Sequence, residues 1–299
     1  MISKLRIGVL VIILNFFASV ATTWGQVENP SLLQMAVPSL NIAPDARGGG
    51  MGDMGAATLP DINSQYWNAA KYAFMGSKAG VSLSYTPWLR KLVNDVALVN
   101  MTGYYKLGNS DLQAISASLR YFSLGEVNIW ENIGDVPYGL NPYEMAFDVA
   151  YSRKLSESYS MAVTLRYIRS DMGKDQNEES NAGNAFAADI SGYLEKYVLM
   201  GNAEALWSFG FNLSNIGSKI SYDGGNTNQY LPAKLTLGTG LLYPIDDYNQ
   251  IGVYLDLNKY MVPYAPQKEE GETDADYQTR VDDYKSWSSL SGMLKSFTD

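Results

Sequence analysis

The sequence predicts an all-β chain that crosses a membrane as an antiparallel β-barrel, with an irregular plug segment ahead of the first strand. Three observations carry that expectation. Apolar and polar residues alternate with a period of two in about nine segments of ~10 residues, the length that spans a bilayer at a barrel's tilt. The connections between these segments are alternately short and long. Beyond Ala21 no uninterrupted apolar stretch reaches the length of a spanning helix.

Composition narrows the function before any motif is read. The 299 residues include 22 Lys and Arg against 31 Asp and Glu, a net charge of -9, which argues against wrapping a nucleic-acid backbone. There is no Cys, hence no disulfide, thiolate metal site or Cys nucleophile. There is no His either, which removes the commonest general base and metal ligand. No catalytic residue, metal site or cofactor is expected.

The chain opens with the positive Ser3-Lys4-Leu5-Arg6, then Ile7 to Val20, apolar apart from Asn15 and Ser19. Small residues follow at Ser19-Val20-Ala21 or Thr23-Trp24-Gly25. The run is shorter than the ~20 residues of a spanning helix, so residues 1–25 read as a secretory signal peptide removed on export.

Residues 26–76 lack alternation and hold a glycine cluster with Gly48, Gly50, Gly52 and Gly55. Gly50 to Gly55 fits G-x-G-x-x-G, but no strand precedes it, no helix follows and no βαβ unit encloses it, so a dinucleotide site is not expected. A close-packed plug filling a barrel mouth is the reading, since glycine permits positive φ and close approach. Asp45 and Arg47 could pair within it or stand solvated on its surface.

The strands occupy 77–260. In 143–152, Tyr143, Met145, Phe147, Val149 and Tyr151 share one face and Glu144, Ala146, Asp148, Ala150 and Ser152 the other. Segments 159–167, 204–213 and 251–258 repeat the pattern; fainter versions cover 81–87, 96–106, 112–122, 186–195 and 234–243. Glu144, Asp148, Arg166, Glu204 and Asp256 fall on polar faces and would point into a lumen. A soluble β-sandwich alternates too, and the rhythm of connections favours the barrel. Segments 107–111, 155–157, 196–202 and 244–249 read as short periplasmic turns; 88–95, 123–142, 170–184, 215–232 and 261 onward read as long extracellular loops. Tyr85, Trp88, Tyr104, Tyr105, Tyr121, Tyr143, Tyr151, Tyr167 and Tyr243 mark strand ends, where lipid would make them interfacial girdles.

The plug carries a specific resemblance. Ala43-Pro44-Asp45-Ala46-Arg47-Gly48-Gly49-Gly50-Met51-Gly52-Asp53-Met54-Gly55-Ala56-Ala57-Thr58 is followed by Ser64-Gln65-Tyr66-Trp67-Asn68-Ala69-Ala70-Lys71-Tyr72-Ala73-Phe74 and by Leu83-Ser84-Tyr85-Thr86-Pro87-Trp88-Leu89. This order and spacing closely resemble the PorV family of the Bacteroidota type IX secretion system, within the FadL-like group of outer-membrane barrels. The likeness covers most of the chain from Leu40 to Phe297. Where FadL-like barrels carry Asn-Pro-Ala, this chain has Asn68-Ala69-Ala70. The resemblance implies a 14-stranded outer-membrane barrel that binds the C-terminal domains of secreted cargo proteins at the translocon and passes them to the surface attachment complex. A FadL-like transporter of hydrophobic small molecules is the alternative. Asp45, Arg47, Gly48, Gly50, Gly52, Gly55, Trp67 and Asn68 are the plug-motif residues.

Apolar residues gather in segments assigned to the extracellular side: Trp88, Leu89, Leu92, Ile129, Trp130, Ile133, Val136, Pro137 and Tyr138. They either meet a partner or pack on one another to cap the barrel, and the resemblance favours contact with translocon or cargo. An odd strand count leaves 261–299 on the extracellular side, where the acid-rich 268–283 reads as a solvated loop. Barrels of this kind have even strand numbers and end in the periplasm, so the sequence is expected to be truncated, with about nine of 14 strands present.

Overall fold

The computed structural model describes residues 33–88, 90–91, 95–108, 112–129, 136–173, 182–201, 203–225, 227–269 and 271–298. Its strands are β1 (Ala79–Pro87), β2 (Val96–Leu107), β3 (Gln113–Leu124), β4 (Val127–Ile129), β5 (Tyr138–Leu140), β6 (Tyr143–Lys154), β7 (Tyr159–Asp171), β8 (Gly183–Met200), β9 (Ala203–Gly217), β10 (Lys234–Pro244) and β11 (Gln250–Tyr260). Nine of them form one antiparallel sheet in the order β1-β2-β3-β6-β7-β8-β9-β10-β11, while β4 and β5 pair separately. Among the described residues β1 pairs only with β2 and β11 only with β10, so the sheet does not close on itself. No helix in them is long and apolar enough to cross a membrane, a statement that does not bear on strands.

Burial across the sheet is inverted relative to a water-soluble protein. On β6 the buried residues are Glu144, Ala146, Asp148, Ala150 and Ser152, while Phe147, Val149 and Tyr151 are exposed. On β7, Ser160, Ala162, Thr164, Arg166 and Ile168 are buried, and Val163 and Leu165 are exposed. A sandwich buries its apolar faces; here they are presented outward, as a barrel wall presents them to lipid. Leu83, Val253 and Leu257, all more than 60% exposed, extend the same outer surface to both edges of the sheet.

The inner face wraps the plug. Ser84 on β1 donates to Pro44 O, Ser160 on β7 donates to Ala70 O, and Asp256 on β11 accepts from Gly55 and Ala56. A flat nine-stranded sheet would be roughly 40 Å across at ~4.8 Å per strand, too wide for one short segment to bridge. Curvature brings both edges to the plug.

Several details depart from the sequence reading. Strands β8 and β9 continue to Met200 and Ala203, so the expected seven-residue turn is mostly strand. Glu204 lies exposed at that hairpin's end rather than in the lumen. Tyr104 belongs to no outer girdle: it is buried inside and stacks on Tyr72 at 4.9 Å, since its place in β2 has inward parity. The acid-rich 268–283, read as a solvated loop, holds most of a helix, Asp274–Ser286, and a second helix, Ser289–Lys295, follows in the segment read as a long loop from 261 onward. Thr273 caps the first by accepting from Asp276 N, with Asp274 and Asp276 in its first turn, where carboxylates complement the helix dipole. Arg280 ties this helix to Glu272 at 2.7 Å. The second helix inserts Met293 against Ala233 and Met261.

Candidate functional site

The plug begins with a 3-10 turn at Pro38–Asn41, whose cap Val37 has φ 53. Helices α1 (Ala46–Gly50) and α2 (Ser64–Trp67) follow, then a 3-10 turn at Ala69–Phe74. Its glycines and its tryptophan explain one another. The Trp67 indole is buried, and an added Cβ would lie 2.3 Å from it at Gly48 and again at Gly55. Only glycine lets the backbone lie against the ring at both places. Gly52 has φ 78 and the following Asp53 φ 58, the left-handed turn that redirects the chain after α1. Gly50 has open space around its Cβ position, and nothing in the structure requires a glycine there. The G-x-G-x-x-G match is thus a turn packed on an indole.

Asp45 and Arg47 do not pair with each other. Asp45 caps α1, accepting from Gly48 N at 2.7 Å with one oxygen and from Trp67 Nε1 at 2.7 Å with the other. Both its oxygens face inward, so Arg47 turns away and pairs with Asp61. Asn68 ties the plug together and to the wall: its Nδ2 donates to Ala56 O and to Gly192 O on β8, both at 2.9 Å, and its Oδ1 accepts from Ala70 N. Replacement of the following proline by Ala69 leaves this hub in place.

Sequence reasoning missed Lys71, which is fully buried and donates to Gly55 O at 2.9 Å and Thr58 Oγ1 at 3.1 Å. Burial pushes its ammonium down to about 8, with the Asp61 carboxylate opposing. Tyr72 was missed too; its hydroxyl donates to Ile62 O and accepts from Gln65 N. Neither carries a motif signal beyond lying within the quoted segment.

The wall behind the plug is polar and cross-linked. Arg166 donates to Asp148 on β6 at 2.6 Å and Asp189 on β8 at 2.9 Å, and also to Asn215 on β9. Ser118 on β3 donates to Asp148, so one polar chain links five strands. Arg120 stacks over Tyr66 at 4.4 Å and donates to Ser39 O, while Glu144 accepts from Ser39 N. Arg120, Glu144, Asp148, Arg166 and Asp189 thus each hold a neighbouring stave or the plug, and no group of three or more His, Cys, Asp or Glu that could hold a metal ion occurs among the described residues.

Of the apolar candidates, the structure brings Ile129 and Tyr138 directly opposite each other in the β4-β5 hairpin. Pro137 is exposed, Val136 is 89% exposed, and Trp88 at the end of β1 is 39% exposed. Leu89, Leu92, Trp130 and Ile133 lie outside the described residues.

A polar interior, an apolar exterior and an N-terminal segment packed inside a curved antiparallel wall define the class: a plugged membrane β-barrel. A family model described as "Type IX secretion system protein PorV" matches residues 26–268. The chain belongs to the PorV family and is an outer-membrane component of the type IX secretion system. That family is one of secretion-system proteins rather than enzymes. A comparison with curated proteins finds none that matches.

Proposed function

We propose that this chain is exported with removal of residues 1–25 and assembles in a Bacteroidota outer membrane. There it binds the C-terminal domains of secreted proteins at the type IX translocon and passes them to the surface attachment complex. The observation that carries the reading is the apolar surface at the long-segment end of the wall. Val136, Trp88 and Val127 are 89%, 39% and 46% exposed, and all three lie outside the nine-stranded sheet. Apolar side chains left exposed outside a bilayer mark a protein contact. The plug motif supports the reading in another way, since a core-packed plug suits a scaffold better than a conduit.

Co-purification from outer membranes is the test. The chain should bring down translocon subunits and cargo C-terminal domains, and Trp88→Ala with Val136→Asp should lower cargo recovery without lowering the membrane level of the chain. Recovery of neither partner, together with uptake of labelled long-chain fatty acid that depends on this chain, would establish the transporter reading instead.

A further inference from the structure

The glycines of the wall strands are explained, with one exception, by what a methyl group would strike. An added Cβ at Gly210, Gly238 or Gly192 would stand 1.9, 2.3 or 2.3 Å from its nearest neighbour, and the other described glycines of the nine wall strands apart from Gly103 also fall under 3.0 Å. At Gly103 on β2 the nearest atom is Gly80 O at 3.3 Å, and the backbone there is not left-handed. A side chain would fit after a small shift. Glycine inside a strand gives up packing and chain entropy, and where nothing in the chain demands it, it marks a place that something else approaches closely.

Gly103 faces outward, directly opposite Ala117 on β3, and these two small residues floor a hollow of about 470 Å³ in the lipid-facing surface. Register sets Val81 and Val149 at its sides, Tyr105 and Ile115 toward the short turns, and Met101 and Leu119 away from them. From the Tyr105 row to the Met101 row it runs roughly 14 Å along the strands, at ~3.4 Å per residue. Both β2 and β3 are paired on each side, so the hollow is not a product of the sheet's open edge. Its size and apolar lining suit a small-molecule pocket, yet it opens on the face turned to lipid. Two and four residues along β6 from Val149, on the same outward face, stand Tyr151 and then Arg153, both exposed. Among the described residues Arg153 enters no ion pair. An apolar slot that ends, toward the short turns, in tyrosine rings and a guanidinium complements an acyl chain joined to a phosphate.

We propose that this hollow is a binding site for one phospholipid of the leaflet on the short-turn side, with an acyl chain lying over Gly103 and Ala117 and the phosphate held by Arg153. A recess contacts the chain along its length and on several sides, where an even wall touches it on one, so dispersion attraction keeps this lipid while its neighbours exchange. The guanidinium stays charged and its planar fork matches two phosphate oxygens. The inference rests on the lipid-facing orientation of the wall and not on what the outer segments bind.

The test is lipid retention. The full chain is reconstituted in bilayers of equal phosphatidylglycerol and phosphatidylcholine, extracted again in mild detergent, and weighed intact by native mass spectrometry. The parent should carry one phospholipid through detergent exchange. Gly103→Leu with Ala117→Leu fills the hollow and should lower the lipid-bound fraction about tenfold or more, the ratio that ~1.4 kcal/mol of lost binding gives. Arg153→Gln keeps the slot and removes the cation, and should lower retention several-fold, most of all for phosphatidylglycerol. Leu257→Ala, on the outer face of β11, should retain lipid as the parent does. A parent that keeps no lipid overturns the proposal, as does a filled or Arg153→Gln chain that keeps as much as the parent, or a Leu257→Ala chain that loses it equally. If the double variant fails to assemble, Ala117→Phe decides, since it fills the hollow from a position that already carries a Cβ: loss of the lipid supports the site and retention refutes it.

Discussion

A methyl group at Gly55 would stand 2.3 Å from the Trp67 ring system, and the ring is pinned by its bond to Asp45, so the clash cannot be relieved by rotating one side chain. Gly55→Ala is expected to destabilise the plug by about 1–3 kcal/mol, seen as faster proteolysis within 45–58, whereas Gly50→Ala should be neutral. Lys71 gives a pH signature. Its folded value of about 8 lies below the ordinary 10.5, so the native chain loses this proton before the unfolded chain does. The penalty is fully present below about pH 8 and is relieved as pH rises from there to about 10.5, by up to ~3 kcal/mol. The melting temperature in detergent should therefore climb over that window, and Lys71→Met should flatten the rise. An unchanged slope in Lys71→Met would assign the effect elsewhere.

Strand faces set the next predictions. Val163 and Phe209 point outward, 51% and 37% exposed. A cation near the midplane of a barrel wall costs about 2–4 kcal/mol, so Val163→Arg or Phe209→Arg should sharply lower the amount of membrane-inserted chain. Thr164→Ser, on the buried inner face, should be tolerated. Equal membrane levels of Val163→Arg and the parent would contradict the orientation of β7. Arg166→Met leaves Asp148 and Asp189 facing each other without a cation between them. Breaking a buried pair in this way costs about 3–5 kcal/mol, and thermal unfolding in detergent should show it. Element ends were less legible than faces. The helix at Asp274–Ser286 buries none of its residues and has no apolar stripe, so periodicity could not reveal it. The signal that existed was Thr273 three residues before Asp276, a cap written in the acid-rich run itself.

For the molecule as a whole, the outer surface is the strongest constraint. With Val81, Leu83, Leu165, Phe186 and Leu257 each more than 60% exposed, the folded chain should stay monodisperse only in detergent or a bilayer. A monodisperse folded species in detergent-free buffer would argue against the lipid-facing assignment.

Period-two alternation determined the nine wall strands and, except at the start of β9 where Glu204 is exposed and Ala205 buried, which face of each is polar, because a strand's side-chain period is fixed by its backbone. The order of residues in the plug determined the family, and the glycines in it announced close approach. What they approach was decided only by tertiary structure. Trp67 against Gly48 and Gly55, Asp256 under Gly55 and Ala56, and Arg166 between Asp148 and Asp189 join positions from 12 to 201 residues apart. Alternation places Asp256 and Arg166 on the inner face but is silent on what stands opposite. That choice follows from how far the sheet curves around the plug, and curvature is a property of all the strands together.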